Sequence, residues 1–230
     1  MSLNLSKPIL YLITRGATTE AETPESEEFQ RILHQVSAAV IAGIQLIQIR
    51  EKQLTARVLL ELTAEVVNIA RGSSTRVLVN DRADIAAGAG ADGVHLTTRS
   101  ITPEVIRKMF GAKFLVGAST HSNEEARDAG RQGADFAVFG PIFPTSSKAK
   151  YGPPMGLREL KRAASELAPF PLLALGGILL GKVNECLLAG AAGVAGISLF
   201  DEPDCLVDTF NSIMKLPGKN LRGLRQLNAK

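Results

Sequence analysis

Eight short apolar runs, each followed by a stretch of helical spacing or a helical turn, recur along this chain and restrict its folds more than any other feature. The first run, Pro8 to Thr14, is compact and rich in β-formers, as expected of a strand buried on both faces. After the polar segment Arg15 to Ser26, the stretch Glu27 to Ala42 places Phe29, Ile32, Leu33, Val36 and Val40 at helical spacing. Ser26, with Glu27 and Glu28 behind it, predicts an N-terminal cap with an acidic first turn. Further strands are predicted at Ile44 to Ile49, Arg76 to Val79, up to His95 and Leu96, Phe114 to Ser119, Asp135 to Phe139, Pro171 to Leu175 and Gly193 to Ser198. The intervening helices are expected at Thr55 to Arg71, Ala83 to Ala89, Ile101 to Phe110, Ser122 to Gln132, Leu157 to Leu167 and Lys182 to Ala189, with a last one from Glu202 to Leu216. Small residues precede several strands, as in Ala42-Gly43-Ile44 and Gln132-Gly133-Ala134-Asp135, and suit tight helix-to-strand turns. Eight such units with right-handed crossovers close most naturally into a single-domain (β/α)₈ TIM barrel over residues 1–216, with 217–230 as a basic C-terminal tail. A doubly wound open sheet is the alternative, disfavoured because no Gly-x-Gly-x-x-Gly follows the first strand.

The totals exclude several function classes. A net charge of +3 and 5% aromatic residues without Trp argue against nucleic acid. No apolar run approaches membrane-spanning length, and Met1 to Lys7 lacks an apolar signal core, so a cytoplasmic location with no membrane partner is expected. Cys186 and Cys205 lack metal-ligand spacing and read as thiols in a reducing compartment. Self-association into a homo-oligomer is left open.

In a barrel of this kind the chemistry collects at the C-terminal ends of the strands. Those positions carry Gln48, Arg50, Glu51 and Lys52 after the second strand, Asn80, Asp81 and Arg82 after the third, His95 on the fourth, and Ser119 and His121 at the fifth. The sixth strand leads into Gly140-Pro141-Ile142-Phe143-Pro144-Thr145-Ser146-Ser147-Lys148, where Thr145, Ser147 and Lys148 supply two neutral donors and one cationic donor suited to phosphate. The seventh strand ends at Gly176 and Gly177 and the eighth at Ile197 and Ser198, where barrels often bind phosphate through backbone N–H groups. Two anion sites follow, one near strands two and three and one near strands seven and eight.

Plainer readings stand beside these. Arg50-Glu51-Lys52 could be a surface ion-pair cluster, Asp81 a cap for the helix beginning at Ala83, and Arg82 a partner of Asp84. His95, among small and apolar residues, reads as structural, His34 as an exposed helical residue, and His121 as the acid/base candidate.

Five ordered motifs, Gln48-Ile49-Arg50-Glu51-Lys52, Asn80-Asp81-Arg82-Ala83-Asp84, Ala91-Asp92-Gly93-Val94-His95-Leu96, the run Gly140 to Lys148, and Gly176-Gly177-Ile178, resemble those of the thiamine phosphate synthase and thiazole tautomerase (TenI) superfamily. The resemblance covers about Leu10 to Phe200. It implies an enzyme that joins hydroxymethylpyrimidine pyrophosphate to thiazole phosphate and releases pyrophosphate, with Mg²⁺ bridging the leaving group. By the same resemblance Gln48, Arg50, Lys52, Asn80, Ser119 and Lys148 would hold the pyrimidine pyrophosphate. Thr145, Ser147, Gly177, Ile197 and Ser198 would hold the thiazole phosphate, and Asp81 would be a Mg²⁺ ligand. Arg50, Lys52 and Lys148 would carry the catalytic charge neutralisation.

Two departures qualify it. Ser100, in His95-Leu96-Thr97-Thr98-Arg99-Ser100, stands where the family has its second metal-binding Asp, and one carboxylate with a hydroxyl is a weaker site for a hard cation. The first strand ends in Thr14-Arg15 where Thr-Asp is usual. The alternatives are therefore a metal-independent thiazole tautomerase, in which His121 would shuttle the proton, and a non-catalytic barrel that binds a phosphorylated ligand.

Overall fold

The structure is a computed structural model that describes residue 5 and residues 8–145 and 153–216. Eight parallel strands close into a barrel in chain order: β1 (Ile9–Ile13), β2 (Leu46–Ile49), β3 (Arg76–Asn80), β4 (Gly93–Leu96), β5 (Leu115–Thr120), β6 (Phe136–Phe139), β7 (Leu172–Ala174) and β8 (Gly193–Gly196). β1 pairs with both β2 and β8, Tyr11 opposing Leu46 on one side and Ala195 on the other, so no open sheet edge remains among the described strands. This is the (β/α)₈ barrel expected from the alternation, and the open-sheet alternative is excluded by the β1–β8 pairing.

The helices α1 (Glu27–Ala42), α2 (Ala56–Ala70), α3 (Ala83–Gly88), α4 (Pro103–Phe110), α5 (Asn123–Arg131), α6 (Gly156–Glu166), α7 (Val183–Leu188) and α8 (Leu206–Met214) follow the strands in order. Alternation along each strand divides the core in two. Leu10, Leu12, Ile47, Ile49, Val77 and Val79 pack against helix residues such as Phe29, Ile32, Val36 and Leu62. Ile9, Tyr11, Ile13, Leu46, Leu78, Phe136, Val138 and Leu173 form a separate cluster. Such inward layers make the interior a packed plug rather than a pore.

Local signals account for many helix ends. Thr55 caps α2 by accepting from Val58 N at 3.4 Å, and Ser122 caps α5 by accepting from Glu125 N at 3.1 Å. Ser26 does occupy the N-cap of α1, but its hydroxyl accepts from Thr23 N at 2.8 Å and closes the preceding turn instead. The last helix is shorter than expected: a 3₁₀ turn, Pro203–Cys205, precedes α8, which ends at Met214. No helix among the described residues is long and apolar enough to cross a membrane. The basic tail 217–230 lies outside the described residues.

Candidate active site

Strand geometry brings the polar residues at the ends of β2 and β3 into direct contact. Gln48, 2% exposed, donates from Nε2 to Asn80 Oδ1 at 2.9 Å, and Asn80 donates from Nδ2 to Asp81 Oδ2 at 3.0 Å. Gln48 Oε1 is buried and has no hydrogen-bond partner among the described residues, so it stands as an acceptor for a donor brought from outside. Asp81 adopts a left-handed backbone, φ 59°, and its amide donates to His95 O at 2.9 Å. Its carboxylate does not cap α3, whose N-cap position is Arg82 and which has no side-chain cap. Arg82 instead pairs with Asp84, Nη2 to Oδ2 at 2.6 Å.

The other oxygen of Asp81 meets the loop after β4. Ser100 Oγ donates to Asp81 Oδ1, and Thr97 N donates to the same oxygen at 3.3 Å. Ser100 Oγ also accepts from Thr97 N at 2.7 Å. Asp81 is thus a single carboxylate whose two oxygens already accept from Asn80, Ser100 and Thr97. Among the described residues no group of three or more His, Cys, Asp or Glu side chains could hold a metal ion. A resident Mg²⁺ site, with oxygens turned to a cation rather than to N–H and O–H donors, does not fit this donor set.

Arg50 directly follows β2, is half-buried, and packs against the loop between β1 and α1. Its amide donates to Thr14 Oγ1 at 2.8 Å and its Nη1 to Arg15 O at 3.5 Å. No carboxylate pairs with it among the described residues, so its charge is available at the mouth. Lys52 is exposed beside it. The expected surface ion-pair cluster does not form, because Glu51 is 2% exposed and turns into the β1–α1 loop.

Below the rim, His95 is 2% exposed, its ring 5.6 Å from that of Tyr11 and 6.0 Å from that of Phe136. Burial pushes its pKa down to about 4, against a smaller upward pull from Asp81, so the ring is neutral near pH 7. His95 Nε2 is 2.9 Å from Ser119 Oγ, while Nδ1 has no partner among the described residues. A neutral imidazole carries one N–H, and placing it on Nε2 gives that proton an acceptor in Ser119. Ser119 then keeps its own O–H as a donor. His95 is therefore structural in its packing and also orients the Ser119 hydroxyl. His121, by contrast, is exposed just beyond β5, its amide 2.6 Å from Glu125 Oε2 and its Nδ1 3.4 Å from the same oxygen. His34 is exposed on α1.

On the opposite side of the mouth the loops after β6 and β7 run together. Ile142 N donates to Leu175 O at 2.8 Å and Phe143 N to Gly176 O at 3.0 Å. Gly177 has φ 65°, and a Cβ there would stand 2.5 Å from Pro144 O and 2.9 Å from Phe143 C, so only glycine fits between these backbones. Thr145 is half-buried at the end of this pairing, and Ser147 and Lys148 lie outside the described residues. Ile197 and the exposed Ser198 lead into the 3₁₀ turn Ser198–Phe200.

Three features carry no signal in the sequence: the burial of Glu51, its contact with Thr18, and the ion pair between Arg15 and Asp201 that ties the β1 end to the loop after β8. Each depends on contacts at least 33 residues apart, which no local pattern encodes.

Residues 10–200 match the family described as thiamine monophosphate synthase. The putative thiamine-phosphate synthase of Geobacter sulfurreducens is 45% identical over 174 residues, 75% of this chain and 81% of that protein. The thiamine-phosphate synthase of Chlorobium luteolum is 39% identical over 184 residues, 80% of this chain and 86% of its own length. Among solved structures, the thiamine phosphate pyrophosphorylase from Pyrococcus furiosus superposes with a TM-score of 0.72 at 27% identity, covering 90% of this chain and 96% of that one.

Proposed function

This chain belongs to the thiamine monophosphate synthase family, and we propose that it joins hydroxymethylpyrimidine pyrophosphate to thiazole phosphate, giving thiamine phosphate and pyrophosphate. The observation that best supports this reading is the bonded pair Gln48–Asn80 beside an Arg50 whose charge no carboxylate neutralises among the described residues. A pyrophosphate at the ends of β2 and β3 would meet Arg50, Lys52 and Ser119, while the pyrimidine ring would offer a donor to the unpartnered Gln48 Oε1. Thr145, Gly177, Ile197 and Ser198 line the other side and would take the thiazole phosphate, with Ser147 and Lys148 completing the set. Barrels commonly hold phosphate at this place.

The reaction needs no general base. The C–O bond to the pyrimidine methylene breaks, pyrophosphate leaves with the electron pair, and the thiazole nitrogen forms the new C–N bond with its own lone pair. Catalysis then lies in stabilising the charge on the departing pyrophosphate, which Arg50, Lys52 and Lys148 would do. No step is assigned to Mg²⁺, because the donors around Asp81 do not fit a resident ion. His121, the acid/base candidate, is given no proton to move in this step and would act as a proton shuttle in the tautomerase reaction. The absence of a membrane-spanning helix among the described residues is compatible with work in the cytoplasm. Incubation with both substrates and Mg²⁺ should release pyrophosphate and thiamine phosphate in equal amounts. Absence of product from the folded chain would overturn the assignment.

A further inference from the structure

We propose that Glu51 is the positioning residue of Arg50, a role that rests on the reading of Arg50 as a pyrophosphate ligand. Glu51 follows Arg50 directly, yet the two side chains part: the guanidinium goes to the mouth and the carboxylate turns under the β1–α1 loop. A carboxylate only 2% exposed must be well hydrogen-bonded to be tolerated. All its hydrogen-bond partners among the described residues come from that loop: Gly16 N at 3.0 Å on one oxygen, and Thr18 N at 3.3 Å and Thr18 Oγ1 at 2.8 Å on the other. Thr18 is itself 3% exposed, so the grip is sealed from water.

The segment that Glu51 grips is the one on which Arg50 lies. Arg15 O accepts from Arg50 Nη1, Thr14 Oγ1 accepts from Arg50 N, and Gly16 comes so close that a Cβ there would stand 2.8 Å from Nη1. Gly16 takes φ 75°, the left-handed conformation that lets its N–H reach Glu51 while its Cα stays against the guanidinium. With no carboxylate on Arg50 among the described residues, this backbone directs the charge. Glu51 keeps the backbone in place without neutralising the guanidinium, and thereby pre-orients a cation that an anion must find already aimed.

The test measures binding of inorganic pyrophosphate to the full chain by calorimetry, alongside KM for each substrate and the thermal midpoint. Glu51→Gln keeps the shape but sets an NH₂ group against one of the loop's donors. It should weaken pyrophosphate binding and raise KM for the pyrimidine pyrophosphate by about tenfold, the scale of a lost hydrogen bond to a charged group, with KM for thiazole phosphate unchanged. Thr18→Val removes one donor without touching Glu51 and should give a smaller loss of the same selectivity; it carries the test if the first variant does not fold. Unchanged pyrophosphate binding in a folded variant, or equal loss for both substrates, overturns the proposal. Arg50→Ala separates the two readings: if it binds pyrophosphate as the unaltered chain does, the assignment of Arg50 fails, whereas if it weakens binding and Glu51→Gln and Thr18→Val do not, only the positioning role fails.

Discussion

Ser100 donates its hydroxyl proton directly to the carboxylate of Asp81, which closes the gap that a cation with its waters would occupy. The pair is held by Thr97, whose amide reaches both Asp81 Oδ1 and Ser100 Oγ. Calorimetric titration of Mg²⁺ into the protein without substrates should therefore show no binding stronger than millimolar, the range of sites with few charged ligands. Ser100→Asp should raise the affinity at least tenfold while lowering stability in metal-free buffer, because two carboxylates then face each other. Equal affinity in both proteins would show that Asp81 is no part of any cation site.

The acid limb of stability should carry the signature of His95. In the unfolded chain its pKa returns to the ordinary value of 6.5, while burial holds the folded value at about 4. Between these values the unfolded chain binds more protons, so the contribution is complete above 6.5 and is lost as pH falls towards 4. The total is on the order of 3 kcal/mol. Denaturant melts across this window should show the loss, and His95→Gln should flatten it. A slope that persists in His95→Gln would place the acid lability at another group.

Asn80 links Gln48 to Asp81 and is 8% exposed. Asn80→Ala leaves the buried Gln48 amide without its partner, and we expect a loss of about 1–3 kcal/mol in stability. Pyrophosphate release should fall with it, through a higher KM for the pyrimidine pyrophosphate. Wild-type melting and KM in this variant would show that the contact carries no weight.

Gly177→Ala tests the other half of the mouth. The new Cβ would collide with the backbone of Pro144 and Phe143, so the β6 loop must move. Binding of thiazole phosphate should weaken by about tenfold or more, while inorganic pyrophosphate binding stays within about twofold. Equal damage to both ligands would mean that the two loops do not separate the sites.

The barrel was legible because each strand and helix announces itself locally: Pro8 to Thr14 is an apolar run whatever surrounds it, and Phe29, Ile32 and Val36 share a helical face by spacing alone. Eight units then leave few ways to close, and closure places Gln48, Asn80, His95 and Ser119 near one another without further information. The partners of the acidic residues were not legible. From sequence Asp81 can cap a helix or face a loop, and only the path of Thr97 to Ser100 decides it. Glu51 was readable as a rim charge, but its burial depends on where the β1–α1 loop lies, which no local pattern reveals. Helix ends shifted by a few residues, as where the 3₁₀ turn Pro203–Cys205 precedes α8.

Arg15 faces two ways. Its carbonyl supports Arg50, and its guanidinium pairs with Asp201, which also lies 3.8 Å from Arg31. The first contact uses an atom that every amino acid possesses, and the second uses one that almost none does. Position 15 can therefore change identity over evolutionary time while the Arg50 guanidinium keeps its footing, and such drift would retune only the tether to the β8 side of the mouth.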